Sequence, residues 1–508
     1  MESYSNRRIA KNTLFLYVRM FLILAVNLYT SRLVLEALGV DDFGTYNVIG
    51  GIVALFSTIN GALASGSSRF LTFELGKNNL ERLKKTFSAS FTIHFLIAIV
   101  VLILAETVGL WFLNRELRIP TDRMTAANWV YQFSIFSCLI GLTQVPYNAI
   151  IIAHERMAIF AYIGFYEALI KLLMVFLLFH FTSSDLLILY SGSICFCSVS
   201  VMTFYRWYCI RNFKESHIEI VREKSYYKSM LSFSVWDIIG YTCVAGNSQG
   251  INILMNLFFG VTVNAARGIT SQVENAILQF SRNFMQAVHP QIIKLFAQEN
   301  KSQMMNLVFE SSKFSCFLLC LVSFPVILEA DLILNLWLKQ VPEYAPLFLR
   351  CTLIASLIRA FATPVVQAVH ACGNIKWLNL YSGGISLLLT VPLVYTFYKA
   401  GYPPVSAYYI TIVLNIIWNY LELFILKHEI QFSIAKYSIH VYLQSLVIVI
   451  LTLLPVLFIY YKMSPGFARL AITCCSTGVF LVLFIFLIGI NRIMQKKLIT
   501  TIIEYIKK

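Results

Sequence analysis

Residues Ser232 to Asn300 read SFSVWDIIGYTCVAGNSQGINILMNLFFGVTVNAARGITSQVENAILQFSRNFMQAVHPQIIKLFAQEN. They predict two long apolar helices joined by the short turn Gly260-Val261-Thr262-Val263-Asn264. In the first helix Asp237, Tyr241, Ser248, Asn252 and Asn256 recur at helical spacing, which draws one polar stripe on an apolar rod. The second carries Arg267, Ser271, Glu274, Ser281 and Arg282 in the same manner. Such a stripe suits a soluble core or a membrane, and the remaining chain decides between them.

The chain has 508 residues, 58% of them hydrophobic and only 13% charged. A soluble domain carries about 25% charged residues, so lipid must solvate this one. About fourteen segments of roughly 20 to 25 residues are long enough to span a bilayer. They lie near 13–38, 44–65, 86–113, 125–152, 157–181, 186–210, 229–257, 264–288, 306–330, 346–370, 375–398, 404–427, 440–461 and 467–490. The first follows a basic, polar start without a cleavage site and reads as retained. The net charge of +15 is assigned to cytoplasmic loops rather than to nucleic acid. The 11 Cys fall mostly inside apolar runs, without metal-ligand spacing.

Charge asymmetry sets the expected topology. The N-terminus with Arg7, Arg8 and Lys11, the stretch from Arg69 to Lys85, the segment Arg206 to Lys228 and the tail from Arg492 to Lys508 are basic. Gly39 to Phe43, Thr182 to Asp185 and Phe258 to Val263 hold no base. Both termini are therefore placed in the cytoplasm. Asn114 to Arg123 breaks the rule, with Arg115, Arg118 and Arg123 on the expected outer side.

The chain also repeats itself. Gly39-Val40 aligns with Gly260-Val261 at an offset of 221, as does Lys77-Asn78-Asn79 with Gln298-Glu299-Asn300. Pro146 and Ala153 align with Pro364 and Ala371 at an offset of 218. The expected fold is all-α: a six-helix N-lobe over 1–211, a cytoplasmic loop over 212–228, a six-helix C-lobe over 229–427, and two further helices with a basic tail over 428–508. Each lobe has an even helix count, so the pseudo-two-fold axis runs along the membrane normal.

Ionisable groups inside spans are costly and mark candidate sites. They are Arg19, Arg32, Glu167, Lys171, Asp237, Arg267, Glu274, Arg282, Lys313 and Arg359. Glu167 and Lys171, four apart, also read as a plain intrahelical pair, as do Arg32 and Glu36. Lys313 reads as a residue that snorkels to the cytoplasmic side. No catalytic or nucleotide-binding motif occurs in a usable context, and His154-Glu155 lacks a partner histidine. An enzyme is not expected, nor any cofactor or metal.

Two stretches carry a resemblance. Leu38-Gly39-Val40-Asp41-Asp42-Phe43-Gly44-Thr45-Tyr46, and Asn264-Ala265-Ala266-Arg267-Gly268-Ile269 through His289-Pro290-Gln291, resemble the polysaccharide-transport branch of the multidrug/oligosaccharidyl-lipid/polysaccharide exporter superfamily. The resemblance covers about residues 10–430. It implies a Wzx-type flippase, V-shaped, with a cavity lined by the first, second, seventh and eighth spans. The substrate it implies is an undecaprenyl-pyrophosphate-linked oligosaccharide moved across the bacterial inner membrane. Arg19, Arg267 and Arg282, with Tyr241 and Asn252, are then the expected substrate contacts, since arginine binds phosphate oxygens in bidentate fashion. Asp237 and Glu274 depart from a purely cationic cavity and are the expected H⁺- or Na⁺-coupling groups. Membrane lipid and polysaccharide polymerase and chain-length proteins are expected partners. A cation-coupled multidrug antiporter and a peptidoglycan-precursor flippase are the alternatives. A membrane glycosyl transferase is disfavoured because the outer loops are short.

Overall fold

The computed structural model describes residues 2–115, 119–178, 180, 185–338 and 340–489. Thr182 to Ser184 and the tail from Arg492 lie outside them, and the Arg32 side chain is likewise not described. Among the described residues there is helix and no strand. The helices are α1 (Glu2–Gly76), α2 (Leu80–Leu104), α3 (Leu110–Arg115), α4 (Met124–Ala153), α5 (Met157–Leu178), α6 (Leu186–Asn212), α7 (Lys224–Ala297) and α8 (Lys301–Leu328). Then follow α9 (Ala330–Trp337), α10 (Ala345–Ala360), α11 (Ala362–Cys372), α12 (Ser386–Lys399), α13 (Ser406–Glu429), α14 (Ile434–Tyr437), α15 (Gln444–Lys462) and α16 (Phe467–Phe484).

The expected spans fall on these helices as far as they are described. The first two lie on α1 and the seventh and eighth on α7. Among the described residues ten helices are long and apolar enough to cross a membrane, or eleven with the bent pair α10 and α11 taken as one span. The count covers described residues alone, and in α1 it takes in Arg8–Asn27. The fold is that of a multi-pass membrane protein.

The turn expected at 260–264 is a correction. Only Gly260 leaves helical geometry (φ 79, ψ −171), and the helix resumes at Val261. Gly39 does the same in α1 (φ 76, ψ 174). Backbone groups in apolar surroundings need partners within the chain, which favours a one-residue break over an open turn. The sequence offset of 221 is thus repeated in backbone angles.

The chain forms two compact units. The first is Met1–Tyr241 with Gln286–Asn300, and the second is Thr242–Met285 with Lys301–Lys508. In the first, α4 packs on α1, α2 and α6. Its core holds Leu113, Ala127, Val130 and Tyr131, and the Tyr131 hydroxyl donates to the Ala105 carbonyl at 2.8 Å, where a π-helical turn (Ala105–Gly109) begins. Arg123 bridges Asp42 and Asp185, reaching Asp185 at 2.7 Å. Three connections expected outside therefore meet at one end of this unit, and one base of the anomalous loop is neutralised there. At its other end Arg8 meets Glu155 at 3.1 Å, Lys84 meets Glu219 at 2.7 Å, and Lys85 meets Glu223 at 2.9 Å. Those are segments expected in the cytoplasm.

In the second unit α10 packs on α8 and α13, and α16 on α8 and α15. Met255, Ala266, Phe348 and Leu353 are fully buried in its core. Arg469 of α16 grips the fully buried Glu329 with bonds of 2.6 and 2.8 Å, docking the two extra helices.

A polar cavity in the second unit

A cavity of about 370 Å³ opens among α7, α10, α11 and α13. Helical spacing assembles it. Ser248, Arg267, Ser271, Glu274 and Ser281 come from α7, Thr352, Ser356 and Arg359 from α10, and Tyr408, Thr411 and Asn415 from α13. Arg267 curls back across the Gly260 break to the Ser248 carbonyl at 3.0 Å, which holds its guanidinium over the cavity. Glu274 accepts from the Ser356 hydroxyl at 2.6 Å. Arg359 donates to both carboxylate oxygens of Glu422, at 2.9 and 2.6 Å. The walls thus present two guanidinium groups, one carboxylate and many hydroxyls, chemistry suited to a polar, oxygen-rich guest.

The expected site residues divide between the units. Arg267 and Glu274 line this cavity together. Arg282 is exposed and donates to Asn275 at 3.5 Å, and Asn252 is half-buried and bonded to Gln249 at 3.5 Å; neither lines it. Arg19, Asp237 and Tyr241 belong to the first unit. Arg19 lies over the Phe160 ring, 4.2 Å from its centroid, and against Gly164, with Glu167 near enough to act on its charge. Asp237 is buried and Tyr241 is half exposed. Glu167 and Lys171 form their intrahelical pair at 2.6 Å. Lys313 is buried, pairs with the half-exposed Glu310 at 2.8 Å and donates to the Gly489 carbonyl at 3.5 Å.

Sequence reasoning missed two groups. Glu422 is the buried anion beneath Arg359, and the stripe Asn415, Asn419, Glu422 on the apolar α13 was the signal for it. Glu155 is the other. It sits in the α4–α5 turn with a left-handed backbone (φ 58) and a buried carboxylate, gathered by Arg8, Lys294 and Gln291. Burial pushes the Lys294 ammonium below its ordinary value, and Glu155 opposes that shift.

No family profile and no curated relative matches the sequence. Solved structures do match. The MATE transporter ClbM in complex with Rb⁺ has a TM-score of 0.70 at 14% identity, covering 85% of this chain and 96% of that one. A MATE in its straight conformation has 0.69 at 12%, covering 84% and 97%. A MOP superfamily transporter from Pyrococcus furiosus, described by the reverse polarity of its binding pocket, has 0.65 at 12%, covering 83% and 95%. The chain therefore has the fold of the MATE transporters of the MOP superfamily.

Proposed function

We propose that the chain is a flippase that moves undecaprenyl-pyrophosphate-linked oligosaccharide across the bacterial inner membrane by alternating access. The observation that carries this reading is Arg267, a guanidinium held by its own helix over a hydroxyl-lined cavity inside a membrane-transporter fold. A pyrophosphate-sugar head cannot cross hydrocarbon unaided, and such a surface offers it donors in place of water. Arg19 and Arg282 are the further head-group contacts, with Tyr241 and Asn252 beside the sugar. Asp237 and Glu274 are the coupling groups for H⁺ or Na⁺. The lobes 1–211 and 229–427, the cytoplasmic termini and 212–228 loop, and polymerase and chain-length partners belong to the same proposal.

A drug antiporter of this fold calls for a mainly acidic cavity. Here the cavity carries Arg267 and Arg359 against Glu274. The test is surface polysaccharide display in a null strain at matched membrane levels. Arg267→Ala and Arg282→Ala should each cut display, and Arg267→Lys should restore part of it because the charge returns without the planar fork. Full display with Arg19, Arg267 and Arg282 all replaced by alanine removes the head-group role. Restored resistance to cationic drugs without display favours the antiporter.

A further inference from the structure

α10 and α11 meet at Phe361 with a bend of 43°. Pro364 has no N–H for the Ala360 carbonyl, which is the ordinary origin of such a bend. Side chains take over nearby backbone groups. Asn415 donates to the Ala355 carbonyl at 3.3 Å, Asn419 to Ile358 at 2.7 Å, and the Tyr437 hydroxyl to Phe361 at 3.1 Å. A π-helical turn, Leu378–Ile385, brings Ser382 to Glu422 at 2.6 Å. Such turns add one residue to a helix and re-aim a side chain.

These devices converge on one ion pair. Glu422 is 0% exposed. A fully buried carboxylate must be neutralised by a proton, a mobile ion or a fixed cation. Here Arg359 spans both carboxylate oxygens, and the Asn419 amide oxygen lies 3.4 Å from the same guanidinium nitrogen. With the guanidinium taken away, two carboxylate oxygens, the Ser382 hydroxyl and the Asn419 amide oxygen would surround one gap. Hard oxygen donors of this kind are what monovalent and divalent metal ions select.

We infer that the Arg359 guanidinium is a tethered cation, filling an oxygen cage on Glu422 that would otherwise hold a monovalent metal ion. The second unit then carries its counter-charge within the chain and needs no dissolved ion at this position. Glu422 is a positioning residue: it fixes one edge of the guanidinium and leaves the rest facing the cavity. The inference concerns the cage alone and stands whichever solute the protein carries.

The test is thermal unfolding of the full-length protein in detergent. The buffers are NaCl, KCl, RbCl or N-methyl-D-glucamine chloride at one ionic strength. Wild-type protein should unfold at one temperature in all four. Arg359→Ala and Arg359→Gln should unfold lower in N-methyl-D-glucamine and recover by several degrees with one of the metal ions, saturably. Adding Glu422→Gln to either should abolish that recovery. Arg359→Lys should stay insensitive to ion identity. A wild-type midpoint that rises saturably with one metal ion, and loses that rise in Glu422→Gln, overturns the inference. So does a folded Arg359→Ala protein with no ion preference. If both Arg359 variants fail to accumulate, the wild-type titration decides alone.

Discussion

Three pairs of equivalent positions keep their backbone shape, but only the first keeps its residue. Gly39 and Gly260, 221 residues apart, break their helices with nearly the same angles, and Asn78 and Glu299 at the same offset are both left-handed turns (φ 54 and 59). Glu155 and Gly373, 218 apart, also share a left-handed backbone (φ 58 and 88) but not a residue type. Glycine adopts that shape freely, whereas other residues lose roughly 1–2 kcal/mol in it. The first copy accepts that cost, and its carboxylate joins Arg8, Lys294 and Gln291. The repeat fixes backbone geometry, while side-chain chemistry diverges freely upon it.

The sharpest way to break this comparison is to make the two turns alike. Glu155→Gly relieves the backbone strain yet leaves the mostly buried Lys294 without its carboxylate. Removing one partner of a buried pair costs about 3–5 kcal/mol, more than the strain returns. The variant should therefore unfold at a clearly lower temperature than wild type, with Glu155→Gln between them. A variant as stable as wild type would mean that the cluster does not hold the turn.

Next in size are Gly39→Ala and Gly260→Ala. Nothing lies within 4 Å of an added Cβ at either site, so any loss is pure backbone strain, of order 1–3 kcal/mol in this near glycine-only region. The two losses should match in thermal unfolding. A loss at one site only would dissolve their equivalence.

The smallest effect is at low pH. Burial alone would raise the Glu215 carboxyl, but the hydrogen bond from His154 (2.5 Å), its own backbone N–H and the His154 charge hold it below the ordinary range. A lowered carboxyl contributes stability above its unfolded value, about 4.3, and loses it as pH falls through the lower folded value. His154→Ala should move the acid-unfolding midpoint of the protein upward. An unchanged midpoint would show that the pair contributes nothing.

Much of the fold was legible because membrane spans and Gly-Val breaks act locally. Each span needs only its own apolar run, and each break only one glycine. The length of the turn after Gly260 was not legible, since Val261 to Asn264 resume the helix to keep their backbone groups bonded. The candidate site was half legible. Arg267 and Glu274 stood out as charges seven apart on one helix, and both line the cavity. The partners that decide what a charge can do lie far along the chain. Glu422 is 63 residues from Arg359, and Ser382 is 40 from Glu422. No periodicity within a helix announces pairs of that kind. Arg359 was visible as a charge in a span, but its pairing depends on the Phe361 bend and a π-helical turn.

The central claim is tested most directly in proteoliposomes that hold the purified protein and a fluorescent undecaprenyl-pyrophosphate oligosaccharide, with a membrane-impermeant quencher added outside. The account predicts transfer of the labelled head between leaflets that depends on the protein and falls severalfold in Arg267→Ala at equal reconstitution. Transfer no faster than in protein-free vesicles, while the same vesicles move a cationic dye against an ion gradient, would contradict it.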